Sequence, residues 1–409
     1  MSGAEDGPDG ARELVLRFLD GAARADPYPL LHRIRAAGPV WLDDATVVLS
    51  SRAHCGAALR AADTTAAGAD GCPAASVRLR RGLDRAASAW DGPALAPLVG
   101  RLVDDRLDSV AARGRLDVVS DLAHPVPLAV LSHLLGLPAA DAPWLHRRAM
   151  ALTPAPDHLG VADRGGMANP GAVADAAERN RQADAELAAY FAEAVRDRRR
   201  HGHGDDVLSL LIRPDEHGER LTDAEAAAVG QTLFTSGYEP TAALVSAGVL
   251  ALLRAPHETD TLRRDPGHAR HLVEETLRLD PPVQFVRRTA GADLDLDGTT
   301  VPRGTVMVLL LAAAHRDPAS SASPDVFAPD GASPHLAFAA GAHACPGAPW
   351  ARLVATTVLV RFAQRVRAPR FALGSPSYRP TAALRGLRAL WVDADGFAGR
   401  DLPWQPPTR

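Results

Sequence analysis

The feature that most constrains this chain is an apolar stretch that opens at Thr222 and runs almost to Pro256. Thr222 and Glu225 stand at the spacing of a capping box, which marks a helix start, and a proline such as Pro256 marks where a helix stops. Some thirty residues at about 1.5 Å each make a rod of roughly 45 Å, far longer than the usual three turns. A helix of that length crosses a whole domain, so the rest of the chain must be arranged around it. It also carries an irregularity. In the run Ser236, Gly237, Tyr238, Glu239, Pro240, Thr241 the proline removes a backbone donor, bends the axis and leaves the Ser236 carbonyl without its usual partner. An interior helical proline costs about 3 kcal/mol, which favours a functional reason over drift.

The flanking sequence is helical as well. Patterns rich in Ala, Leu and Arg predict helices over 78–90, 93–113, 121–135 and 140–152, a charged one over 176–200, another over 258–279, and one from the Cys345 loop to about 367. The run after Asp26 reads as a turn, a short helix ending at Gly38 and a strand. DLDLDGTTVPRGTVMVLLL alternates, turns at Gly298 and alternates again, the signature of a two-stranded hairpin. The expected class is mainly α with a small β-sheet region, in a single domain over 26–409 with a tail from about 393. Residues 1–25 read as a flexible arm, and 154–172, rich in Gly and Pro, as a mobile loop.

Composition narrows the function. All 45 basic residues are Arg, set against 49 acidic ones, for a net charge of −4. That balance, with aromatics at 5%, lacks the electrostatic footprint of a nucleic-acid binder. The longest purely apolar run, 306–314, is too short to cross a bilayer. MSGAEDGPDG has neither the charged start nor the apolar core of a signal peptide. Cys55, Cys72 and Cys345 are too few for a disulfide framework and suit a reducing compartment. The expectation is a cytoplasmic monomer that meets no membrane.

The sharpest chemical signal is HLAFAAGAHACPGAPWARL, residues 335–353. Cys345 lies between Gly341 and Gly347, and Pro346 stands where a helix begins. A thiolate at a helix N-terminus is stabilised by the backbone N–H groups that approach it, and a lone stabilised thiolate suits haem iron. Most single cysteines are instead buried structural residues. Zinc fits poorly, because no second Cys stands at ligand spacing. Elsewhere, Glu275 and Arg278 share a helical face, which taken alone is an ordinary surface pair.

In combination these segments resemble the cytochrome P450 family. Phe338, Gly341, His343, Cys345 and Gly347 match its haem-ligand signature, with Ala351 and Arg352 closing the motif and Ala339 replacing its first Gly. Glu275 and Arg278 resemble its Glu-x-x-Arg helix, and Arg288 in RRTA its propionate-binding arginine. AAAHRDP (312–318) and RGLRAL (385–390) also resemble family segments, so the likeness spans about 26–392. The resemblance implies a triangular helical prism that holds haem b, with Cys345 as metal ligand and Arg80, Arg288, His343, Phe338, Gly341 and Gly347 around the cofactor. It further implies NAD(P)H electrons delivered through a ferredoxin reductase and a ferredoxin. Arg78, Arg81, Arg352 and Arg361 form a basic ridge for an acidic ferredoxin, or else a plain solvated face.

Two departures from the family pattern stand out. Glu239 keeps the acid of the long helix, but Pro240 occupies the usual Thr position, and Thr241 lies about 100° further around the helix. Upstream, Ser76 replaces a His that commonly joins Arg80 at the propionates, and the connection ADTTAAGADGCPAA is short. An open pocket is expected, lined by Thr232, Thr235, Ser236, Pro240 and Gln284, with Glu239, Pro240, Thr241 and Ser236 nearest the chemistry. The family reading then divides between oxidative coupling of an aromatic, peptide-like substrate and hydroxylation of a small natural product. A haem-bearing recruitment module without catalysis is the third alternative.

Overall fold

The computed structural model describes residues 8–20, 23–61, 64–66, 73–88, 92–152, 170–202, 204–214, 218, 220–331, 334–372, 374 and 376–400. Asp223–Arg254 is one continuous helix in spite of Pro240. Its start follows from the capping box: the Thr222 hydroxyl accepts from the Glu225 N–H at 3.2 Å, and the Glu225 carboxylate accepts from the Thr222 N–H at 2.8 Å. Phe234 and Tyr238 on this helix are fully buried, each worth about 2–3 kcal/mol in removed apolar surface. The helices Pro170–His201 and Ala348–Arg365 pack most extensively on it. At Gly248 the approach is so close that a Cβ would lie 3.0 Å from the Leu359 side chain.

A five-stranded sheet stands beside the helices in the order Val40–Asp43, Thr46–Leu49, Val306–Leu309, Val286–Ala290, Thr64–Ala66. Thr46–Leu49 and Val306–Leu309 run parallel, and the other neighbours antiparallel. Arg288 is held between Met307 on one neighbouring strand and Ala66 on the other. Residue 288 is thus fixed by ladders on both sides.

The chain departs from its predicted outline in several places. Residues 1–25 are not a loose arm throughout, because Pro8–Leu19 is a helix that buries Leu14, Val15, Phe18 and Leu19 beside Tyr28–Ala36. An acidic, Gly-rich start masks this i, i+1, i+4, i+5 apolar face. The helix expected over 258–279 is two, Pro256–Arg264 and Ala269–Leu279, separated at Pro266, with the Asp265 carboxylate accepting from the Gly267 N–H at 2.9 Å. The hairpin turning at Gly298 holds only Leu294–Leu296 and Thr299–Val301, while Val306–Leu309 leaves it for the large sheet. Past residue 393 the chain still packs: Gly396–Phe397 pairs with Val366–Arg367, and Arg400 reaches Asp105 and Asp108. Most of the 154–172 loop and part of the short 62–75 connection lie outside the described residues.

Glu275 and Arg278 are no surface pair. They are 1% and 3% exposed, and the guanidinium donates two bonds of 2.7 Å to the carboxylate. Arg278 also donates to the carbonyls of Pro324 at 2.6 Å and Val326 at 2.8 Å, while Glu275 accepts the Ala328 N–H at 2.8 Å. The pair therefore ties the helix Ala269–Leu279 to the coil that leads toward Cys345. Among the described residues, no helix is long and apolar enough to cross a membrane.

Candidate active site

The cysteine loop is closed by a bond from the Cys345 N–H to the Phe338 carbonyl at 2.8 Å. Cys345 is exposed as a residue, though neighbours crowd its sulfur, and it lies three residues ahead of the helix Ala348–Arg365, whose N-cap is Gly347, so Pro346 precedes the cap and does not open the helix. Burial by its surroundings pushes the thiol up, and the backbone N–H groups of Gly347 and Ala348, with the charges of Arg80 and Arg352, pull it part of the way back. A bound iron cation would complete that compensation. Gly341 is required: its φ is +69°, and a Cβ would lie 2.7 Å from the Leu59 carbonyl oxygen.

Ala339 shares the left-handed region at φ +58°. A Cβ there costs about 1–2 kcal/mol, against about 0.5–1 kcal/mol for the extra freedom of Gly. Ala339→Gly should therefore stabilise the protein by up to about 1 kcal/mol. Calorimetric melting tests this, and a lower midpoint in the variant would contradict it.

Around the loop stand the expected cofactor residues. Arg80 donates to the Ala344 carbonyl at 3.0 Å and to Asp84 at 2.9 and 3.0 Å. His343 Nε2 is 3.0 Å from the Thr64 carbonyl, so it links the loop to the sheet. Arg288 is 8% exposed, donates to the Arg287 carbonyl at 2.8 Å, and keeps an Nε with no partner among the described residues. A buried guanidinium with an unsatisfied donor fits a carboxylate of an anionic macrocycle, and the Cys345 thiol is a donor that fits its iron centre. Arg352 stacks over Phe338 at 4.5 Å and grips Glu274 with bonds of 2.6 and 2.8 Å. Burial opposes the Glu274 charge, yet Arg352 and His335 outweigh it and hold this carboxyl near 2.

One member of the basic ridge is misassigned. Arg361 is 7% exposed and paired with Asp104 at 3.3 Å, so it faces the core and not a partner. Helical spacing does not say which face a later helix will cover. Arg78 and Arg81 are exposed, and Arg78 bonds Glu225 at 2.9 Å.

On the long helix, Thr232 and Ser236 lie on an exposed face, Pro240 is half-buried, and Thr241 is 2% exposed. Thr241 is thus turned away from the face that exposes Thr232 and Ser236. The hydroxyls of Thr232 and Thr235 bond back to the Ala228 and Gln231 carbonyls at 2.8 and 2.9 Å. Glu239 is buried and accepts from Arg379 Nη1 at 3.1 Å. Arg379 follows the strand Ser377–Tyr378 and escaped sequence reasoning, since it lies 140 residues from Glu239 in no recognisable pattern. Gln284, 2% exposed, shares a hollow with Arg379, Tyr378, Thr381, Arg385 and Arg24.

Behind this face the Tyr238 hydroxyl lies 2.6 Å from His146 Nδ1 and 3.0 Å from His124 Nδ1. Burial pushes His124 down to about 4, with His146 and Arg379 adding to the effect and Asp117 opposing it. Burial lowers His146 as well. A histidine whose folded pKa is below its unfolded one gives stability that is complete above the unfolded value and lost as pH falls through the folded one. The melting temperature should therefore drop between pH 6.5 and 4, with on the order of 3 kcal/mol coming from His124 alone. His124→Gln should flatten that slope, and an unchanged slope would contradict the assignment.

Comparison with known proteins follows the same lines. A family model described as Cytochrome P450 matches residues 168–368. The chain is 34% identical over 400 residues to the cytochrome P450 monooxygenase PikC of Streptomyces venezuelae, covering 90% of each chain. It is 33% identical over 297 residues to the biotin biosynthesis cytochrome P450 of Bacillus subtilis, covering 72% of each. The crystal structure of CYP164A2 from Mycobacterium smegmatis, solved with econazole bound and ligand-free, superposes with a TM-score of 0.84 at 36% identity, covering 94% of this chain and 100% of that one.

Proposed function

The chain belongs to the cytochrome P450 family, whose members bind haem b through a cysteine thiolate, and from that premise we propose that it oxidises an organic substrate with dioxygen, using Cys345 as the iron ligand. The observation that carries this reading is the Cys345 thiol on a loop closed by the Cys345 N–H to the Phe338 carbonyl, ahead of the helix Ala348–Arg365 and within the field of Arg80 and Arg352. The bound haem supplies the activation of dioxygen. Arg80 and the buried Arg288 would hold the carboxylates of the macrocycle, and His343 and Gly341 fix the loop that presents the sulfur. Glu239 is the proton-holding group of the long helix. The Ser236 carbonyl, deprived of a helical donor by Pro240, accepts a hydrogen bond from water or substrate. Hydroxylation consumes dioxygen, two electrons and two protons, and leaves one oxygen atom on the substrate and one in water. A ferredoxin, reduced by its NAD(P)H-dependent reductase, supplies the electrons and docks on the exposed Arg78 and Arg81.

A second reading draws support from Pro240, whose own side chain has no hydroxyl to assist proton delivery. In it two substrate C–H bonds are replaced by one C–C bond between aromatic rings, and dioxygen leaves as two waters. Its four reducing equivalents come half from the two substrate hydrogens and half from two ferredoxin electrons with two solvent protons. Turnover under isotopically heavy dioxygen separates the readings, once comparative metabolite profiling with and without the chain has named a substrate. One heavy oxygen per product supports hydroxylation. A product lacking two hydrogens and carrying no heavy oxygen supports coupling. Dioxygen uptake that no substrate stimulates would sink both.

A further inference from the structure

We propose that His268, His271 and Asp330 bind a single zinc ion, and that the ion clips the helix Ala269–Leu279 to the coil that leads toward Cys345. The site stands apart from the oxidative reading and does not depend on it. His268 ends the short turn Pro266–His268, and His271 stands three residues on, in the first turn of the helix. Asp330 belongs to the turn Pro329–Gly331 of the coil. One ligand atom from each of these three side chains lies within 4.8 Å of the other two.

His268 is the fixed member. It is 7% exposed, and its Nε2 lies 2.7 Å from the carboxylate of Glu258, itself 8% exposed. A carboxylate only accepts, so Nε2 carries the proton and Nδ1 turns its lone pair the other way. There Nδ1 meets Asp330 Oδ1 at 3.6 Å, too far for a hydrogen bond. An imidazole lone pair and a carboxylate oxygen at that distance repel, and a cation placed between them turns the repulsion into two bonds. A histidine whose far nitrogen is held by a carboxylate is well prepared as a metal ligand, because both its tautomer and its ring orientation are set.

Two imidazole nitrogens and one carboxylate oxygen suit zinc, whereas magnesium and calcium take oxygen ligands. Ligands about 2.1 Å from a tetrahedral zinc stand roughly 3.4 Å apart. The His268–Asp330 distance of 3.6 Å is already close to that value. The wider gaps close by side-chain rotation, since His271 and Asp330 are both exposed, and water fills the fourth position. Asp330 and Glu258 supply the negative charge that a cation needs beside the positive end of a helix. The ion acts on the same joint as the Glu275–Arg278 pair. Glu275 takes the Ala328 N–H at 2.8 Å from within the helix, and Asp330 follows shortly after on the same coil. Zinc ties the start of that helix to that coil, so its binding stabilises the folded chain.

Zinc titration of the haem-loaded protein, after a chelator has removed adventitious metal, tests the proposal. Isothermal titration with zinc chloride should find a single tight site per chain. His271→Ala and Asp330→Ala should each weaken it about tenfold or more, as should Glu258→Gln, which keeps the three ligands and loosens the ring of His268. Saturating zinc should raise the melting temperature of the wild type by about 2 °C or more and leave those of His271→Ala and Asp330→Ala where they were. Both of these residues are exposed, so the two variants keep the fold and a lost response reports the site. Anomalous scattering at the zinc edge should place the ion between the three side chains. Zinc that binds the wild type and both variants alike, that sits at other histidines, or that leaves the wild-type melting temperature unchanged would overturn the proposal. The carbon-monoxide spectrum tests the oxidative reading separately and is unaffected by the outcome.

Discussion

Arg278→Leu should destabilise the fold by about 3–5 kcal/mol and cut the soluble yield sharply. The substitution strands the Glu275 carboxylate, 1% exposed, without the two 2.7 Å bonds that neutralise it. It also releases the Pro324 and Val326 carbonyls that the guanidinium gathers. Breaking one side of a buried ion pair costs about 3–5 kcal/mol, a large part of the roughly 5–15 kcal/mol that holds a domain together. Glu275→Leu with Arg278→Leu removes both charges and should recover part of that loss, though the Ala328 N–H and the two carbonyls stay unserved. Soluble yield and urea unfolding measure both variants. A single variant that unfolds at the wild-type midpoint would show that the pair does not hold the coil before Cys345 in place.

How far the sequence reaches depends on whether a feature is written in neighbouring residues. The long helix is announced by Thr222, Glu225 and the apolar run behind them, and the capping bonds form between those same residues. The Cys345 loop is equally local, down to the glycine at 341 that must accept φ +69°. Contacts between distant segments are a different matter. Arg379 meets Glu239 across 140 residues, and Tyr238 meets His124 across 114, with no periodic pattern to announce either. Arg361 shows the same limit from the other side, because its helix face is apparent from spacing but the Asp104 that covers it comes from Gly92–Ala111. The Glu275–Arg278 spacing was legible, while its burial depended on a coil some fifty residues downstream whose carbonyls no pattern rule locates.

The central claim is that Cys345 holds a haem iron as a thiolate, and the most direct measurement is the absorption spectrum of the reduced protein under carbon monoxide, taken for the wild type and for Cys345→Ser. The loop is held by the residue 345 N–H bond to the Phe338 carbonyl and by the close approach at Gly341, and neither depends on the residue 345 side chain, so the serine variant should keep the fold. It should lose the donor, because a hydroxyl is a far weaker ligand for iron than a thiolate. The wild type should show the Soret band at the red-shifted position of a thiolate-ligated haem, and Cys345→Ser should show either no haem or a band at the unshifted position. A red-shifted band that survives in Cys345→Ser, or a wild-type protein that takes up no haem, would contradict the account.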